Sequence, residues 1–155
     1  MNIVVAVKVV PDDQDIVVAA DRSLDYSKAH QIVSEYDLNA IEAAAQLAEA
    51  SNATLYAVSA SNAKADDLKV KKSILSRGPA ELRMIADDAF AFADARTTAR
   101  ALASLVKNIG EVDLVVCGDG SADMYAGQVD VQLAAELDLP VINAVTSIKL
   151  EDGTV

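Results

Sequence analysis

The chain opens on an almost unbroken apolar, β-branched run, residues 3–9 (IVVAVKV). Such a run predicts a parallel strand buried on both faces rather than an amphipathic one. Lys8 is its one interruption, a charge either at the strand's exposed carboxyl end or directed at something anionic, and Pro11 stops the strand. The alternation Asp15-Ile16-Val17-Val18, then Asp21-Arg22-Ser23 and Leu24-Asp25-Tyr26, predicts a small hairpin standing outside the sheet. Ser34 with Asp37 three residues on resembles a capping box. Behind it Leu38, Ile41, Ala44, Ala45, Leu47 and Ala48 form the apolar face of a helix ending near Ala50. Residues 54–59 (TLYAVS) predict a second core strand, closed by Ala60-Ser61-Asn62.

Residues 63–77 carry a helical pattern, with Leu68, Val70, Ile74 and Leu75 inward and Lys69, Lys71 and Lys72 outward as a solvated face. Gly78-Pro79 ends it. A weaker strand over residues 81–86 gives way to Asp87-Asp88, and Asp94 is placed to cap a helix over Ala95–Ile109 whose stripe is Ala99, Leu102, Ala103, Leu105 and Val106. Gly110 terminates that helix. Residues 141–145, after Pro140, predict a fifth strand. Glu151-Asp152-Gly153 is a hairpin signal with no return arm, which gives the expectation that the natural protein is longer. Strands alternating with helices at this spacing predict an α/β fold: a doubly wound, mostly parallel five-stranded sheet, Rossmann-like, with helices on both faces and a small β-hairpin, all in one domain over residues 1–155.

Chemistry concentrates in residues 113–133 (DLVVCGDGSADMYAGQVDVQL). A strand, Leu114–Cys117, ends in Gly118-Asp119-Gly120-Ser121, and helical periodicity returns over residues 127–137 behind Gly127-Gln128-Val129. In an open α/β sheet such a loop lies at the carboxyl edge, where glycines allow close approach and free helix N–H groups attract phosphate. Helix caps and turns alone would also demand these residue types. The loop matches neither the Gly-Lys-Ser/Thr phosphate loop nor the dinucleotide fingerprint. Asp119 and Asp123 would repel a triphosphate, so a monophosphate or a pyrophosphate on backbone donors fits better.

Composition narrows the partners. The chain has 155 residues, about half apolar with few aromatics, and a formal charge of −11. That charge disfavours nucleic acid and anionic membrane, which bind through clustered Lys and Arg. One cysteine, Cys117, excludes an internal disulfide and reads as a small core residue. His30 reads as structural or solvent-facing, and a zinc site does not suit one Cys and one His. No stretch is long enough to span a membrane, and the first ten residues lack the features of an export signal, so a cytoplasmic location is expected.

Taken together, Val5-Ala6-Val7-Lys8 with Val10-Pro11-Asp12, the Ser34-to-Asp37 turn, Ser76-Arg77-Gly78-Pro79, and Cys117-Gly118 through Asp123 to Gly127-Gln128-Val129 resemble the β subunit of electron transfer flavoproteins, most of all its Fix-type branch. The resemblance spans essentially the whole chain. It implies an electron carrier rather than a catalyst, with no catalytic or metal-ligating residues of its own. Its partner would be the α subunit of the flavoprotein, with dehydrogenases and quinone-reductase-type proteins served by the complete complex. It further implies AMP, or the adenylate part of FAD, held by Ala6, by Ser34, Glu35, Tyr36 and Asp37, by Ala60, and by Gly118, Asp119, Gly120, Ser121, Asp123, Gly127, Gln128 and Val129. The chain departs from the family where Asp119 and Gly120 stand in place of a lysine and a glutamine, and where Met124 and Tyr125 replace small residues.

Two other readings compete. A stand-alone module resembling universal stress proteins would bind ATP, but would be expected to carry a longer glycine-rich loop with a following Ser/Thr pair. A metal-assisted phosphatase could use Asp119 and Asp123 on Mg²⁺, yet no nucleophile or general base lies near them in sequence.

Overall fold

In the computed structural model, which describes residues 1–151, the elements run as follows: β1 (Asn2–Ala6), β2 (Val9–Pro11), β3 (Val17–Val18), β4 (Leu24–Asp25), β5 (Gln31–Val33), α1 (Glu35–Ser51), β6 (Thr54–Ser61), α2 (Leu68–Leu75), β7 (Glu81–Ala86), α3 (Ala95–Ile109), β8 (Leu114–Cys117) and α4 (Val129–Leu137). The central sheet has the order β7-β6-β1-β8, with every pairing parallel. Chain order runs outward from β1 through β6 to β7 and then returns to the other side of β1. The order therefore reverses between β1 and β8.

The apolar run of β1 is explained by its two faces. Ile3, Val5 and Val7 pack with Ile41, Ala44 and Leu47 of α1 and Val70 and Ile74 of α2. Val4 and Ala6 pack on the opposite side with Ala99, Leu102 and Val106 of α3 and Leu133 of α4. A strand covered on both sides has no polar alternation to show. The fold is the expected doubly wound α/β arrangement, and the small hairpin is there too: Val17 pairs with Asp25 and Val18 with Leu24 in an antiparallel register. Asp94 caps α3 by accepting the Thr97 N–H at 2.7 Å.

Several boundaries differ from the sequence pattern. The sheet has four strands among the described residues, not five. Residues 141–145 run irregularly with Val141, Ile142 and Val145 exposed. Pro140 removes a donor just before them, and Ala144 takes a left-handed φ of 54° that breaks extension. Beyond them Ile148 and Leu150 return to the α1 side of the core. The segment 63–77 is split into a 3-10 turn, Ala63–Ala65, and α2. Asp67 starts α2 afresh by accepting the Lys69 and Val70 N–H groups. Leu68 and Leu75 consequently face solvent.

Residues 9–11 form no extension of β1. They pair antiparallel with residues 31–33, an arrangement the sequence reading lacked. His30 is exposed but partnered, its Nδ1 lying 2.7 Å from Asp15 Oδ2. The Asp152-Gly153 turn lies outside the described residues. Among those described, no helix is long and apolar enough to cross a membrane.

Candidate functional site

At the carboxyl edge, β1 and β8 end side by side, with Ala6 opposite Cys117. The chain leaving β1 reaches Lys8, whose backbone is tied to the start of α1 on both sides. Its N–H donates to Asp37 Oδ2 at 2.7 Å, and its carbonyl accepts the Ser34 N–H at 2.9 Å. Asp37 also lies close against Gly118, the first residue after β8, whose N–H helps hold its carboxyl down. One buried carboxylate thus links the exits of β1 and β8. Burial pushes the Asp37 carboxyl up to about 7, against the opposing pull of those two N–H groups and the Lys8 ammonium.

The capping box is therefore not formed. Ser34 stands at the N-cap of α1, but its side chain caps nothing in that helix. Its hydroxyl accepts the Ala122 N–H at 3.1 Å instead, and Asp37 is turned toward the strand ends. The spacing marked a real helix start, but both side chains serve the loop across the crevice. Gly118 is a glycine because of this closeness: a Cβ there would collide with Asp37 Oδ1 and stand 3.1 Å from the Tyr36 carbonyl carbon.

The loop carries two acids, and both are partnered. Asp123 Oδ1 lies 2.7 Å from Lys8 Nζ, which also reaches Ser121 Oγ at 3.3 Å. Burial raises the Asp123 carboxyl, but the hydrogen bonds and charge of Lys8 outweigh it and hold the group below its ordinary range. Asp119 Oδ2 accepts the Tyr125 hydroxyl at 2.6 Å, which raises the phenol above its usual range. The sequence raised the question of repulsion between these carboxylates and a phosphate. Lys8 and Tyr125 reduce it without a metal.

Beyond Tyr125 the chain turns through Gly127 at φ 58° into α4, which starts at Val129 with Gln128 as its N-cap. Gln128 makes no side-chain cap, so the first-turn N–H groups of α4 are available to an acceptor. Cys117 packs against the α3 side of the core, and burial pushes its thiol up to about 12, as befits a core residue.

Residues 34–37, at the N-cap and first turn of α1, and residues 118–129 are brought to one edge by these contacts. Ala6 and Ala60 are at the same end of the sheet but turn their side chains into the α3-side core, so only their backbones can face a ligand. Ala60 lies within β6, not after it. Glu35 is exposed at the first position of α1. Lys8 was legible only as a charge in an apolar run, and Tyr125 only as a large residue where small ones are usual.

The class of protein defined by this architecture is a doubly wound parallel α/β domain with its order reversal flanked by a small-residue loop. The family model described as electron transfer flavoprotein domain matches residues 22–155, and the chain belongs to that family of electron-carrying flavoproteins. Among solved structures the chain is similar to a universal stress protein in complex with cAMP, with 19% identity and a TM-score of 0.46 over 94% of this chain and 97% of that one.

Proposed function

We propose that the chain is the nucleotide-binding part of an electron transfer flavoprotein β subunit of the Fix-type branch, working in the cytoplasm as a heterodimer with the α subunit. The site would hold AMP or the adenylate part of FAD and help pass electrons between dehydrogenases and acceptors. The observation that carries this reading is the uncapped start of α4 beside a loop whose acids are already partnered, at the point where strand order reverses. Ligands of open α/β sheets bind at such points.

The residues fit a single phosphate. The α4 first turn would donate backbone N–H groups to it, and Gly127 would let the chain turn close to it. A triphosphate would meet Lys8 already neutralised by Asp123. When FAD is bound it supplies the redox chemistry, and the protein's part is orientation and electrostatics. Asp37 and Ser34 would position the loop, holding Gly118 and Ala122 while the ligand occupies the crevice. Mass spectrometry of the small molecule released by acid from the purified protein, with an absorbance scan beside it, tests this. AMP without a flavin band is expected for a structural nucleotide and FAD for a redox-active one. ATP would replace the proposal with a stand-alone binding module.

A further inference from the structure

Tyr125 does more at this edge than close a turn. It holds a left-handed φ of 44°, its hydroxyl is fixed on Asp119, and its ring fills the space a side chain on Gly120 would need. Backbone strain in a residue other than glycine persists where surrounding contacts over-determine it, and such residues gather at ligand sites. The ring lies 5.1 Å from that of Tyr36 on the first turn of α1, tilted by 49°. Neither ring is used up by packing: Tyr36 is 39% and Tyr125 53% exposed, with Met124 beside them at 76%. An open aromatic surface thus borders the loop two residues before Gly127.

The charges point the same way. Lys8 is the one lysine or arginine among the described residues that bonds this loop, and it is paired with Asp123. A ligand arriving here meets π surface and backbone donors but no free ammonium. Every nucleobase has a π face, and stacking on an aromatic side chain needs no charge.

We propose that Tyr125, with Tyr36, is the base-stacking wall of this site and stacks on the adenine ring of the bound nucleotide, so that the base and not phosphate charge carries most of the affinity. This rests on the adenine-nucleotide reading above. The test is calorimetric titration of the full chain with AMP, adenosine and ribose 5-phosphate, for the wild type, Tyr125→Phe and Tyr125→Asn. Asn tolerates the left-handed backbone but lacks the ring.

AMP and adenosine should bind within a few-fold of each other, with ribose 5-phosphate at least tenfold weaker. Tyr125→Phe should keep adenosine affinity within about threefold, and Tyr125→Asn should lose about tenfold for both adenosine and AMP, within the range for one base on one aromatic ring. Unchanged AMP affinity in Tyr125→Asn, or ribose 5-phosphate binding as tightly as AMP, would overturn the proposal. So would an equal loss for all three ligands in Tyr125→Asn, which would mark Tyr125 as a scaffold for the loop. A wild-type chain that binds none of the three would instead remove the adenine-nucleotide reading on which the inference stands.

Discussion

The carboxylate of Asp37 accepts the backbone N–H of Lys8 at 2.7 Å and lies close against Gly118 at the exit of β8, whose N–H helps hold the carboxyl down. A helix-start residue thereby links the exits of β1 and β8, the two strands between which the order reverses. The arrangement places a titratable group where water is scarce, and burial dominates its behaviour.

Because the folded Asp37 carboxyl is pushed up to about 7 from 3.8, the folded state takes up its proton before the unfolded chain does. The resulting stability is fully present below about pH 4 and is lost as pH rises toward 7, by about 4 kcal/mol at most. In Asp37→Asn that dependence disappears. The amide also leaves one strand-exit N–H facing a donor, at a pH-independent cost of roughly 1–3 kcal/mol. Urea denaturation of both proteins from pH 5 to 8 should show the variant gaining on the wild type as pH rises. A constant difference would mean that Asp37 does not titrate in this range.

Gly118→Ala should destabilise the fold by roughly 1–3 kcal/mol, the cost of forcing a methyl into a filled space. The added Cβ meets Asp37 Oδ1 and backbone atoms of Tyr36 and Asp37, the last at 3.2 Å, and backbone cannot rotate away as a side chain tip can. Its φ is not in the left-handed region, so the effect is steric. Denaturant midpoints within error of each other would show that the α1 start can retreat from the loop.

The Lys8–Asp123 pair should matter little for folding and more for binding. Both side chains are about one third exposed, and pairs of that kind contribute about 1 kcal/mol or less. Lys8→Met leaves Asp123 as an unpaired anion beside the phosphate position, so AMP affinity should fall about tenfold while the melting temperature moves little. Lys8→Met with Asp123→Asn removes the repulsion and should recover most of that loss. Calorimetry on the two variants and the Asp123→Asn single variant completes the cycle, and strictly additive effects would exclude coupling at the site.

The legible parts of this molecule were those governed by local periodicity or by burial on two faces. The stripe of α3 and the unbroken run of β1 announce their partners' existence, if not their identity. Residues 9–11 and 31–33 escaped because three-residue strands are too short to show a period, and their pairing is antiparallel and outside the main sheet. The run at 141–145 misled because β-branched composition is no guarantee of a strand where the backbone turns left-handed at Ala144. Ser34 and Asp37 were read correctly as a helix start and incorrectly as partners of each other. Their acceptors are spent on residues up to 88 positions away, which no local spacing can reveal.

Gly127 gives the last test, because its geometry separates strain from crowding. Its φ is 58°, and the nearest atom to an added Cβ would be the Asp119 carbonyl oxygen at an ordinary 3.8 Å. A side chain there would fit; the backbone conformation is what resists it, most of all for a β-branched residue. Gly127→Val should therefore cost about 1–2 kcal/mol, leaving the sheet folded, while the start of α4 shifts away from the position its N–H groups need to hold a phosphate. Gly127→Asn, which accepts the left-handed region more readily, should keep both stability and AMP retention closer to the wild type. Circular dichroism melts with AMP titrations on the two variants read these effects apart. Full AMP affinity in a folded Gly127→Val protein would remove the phosphate from the α4 start.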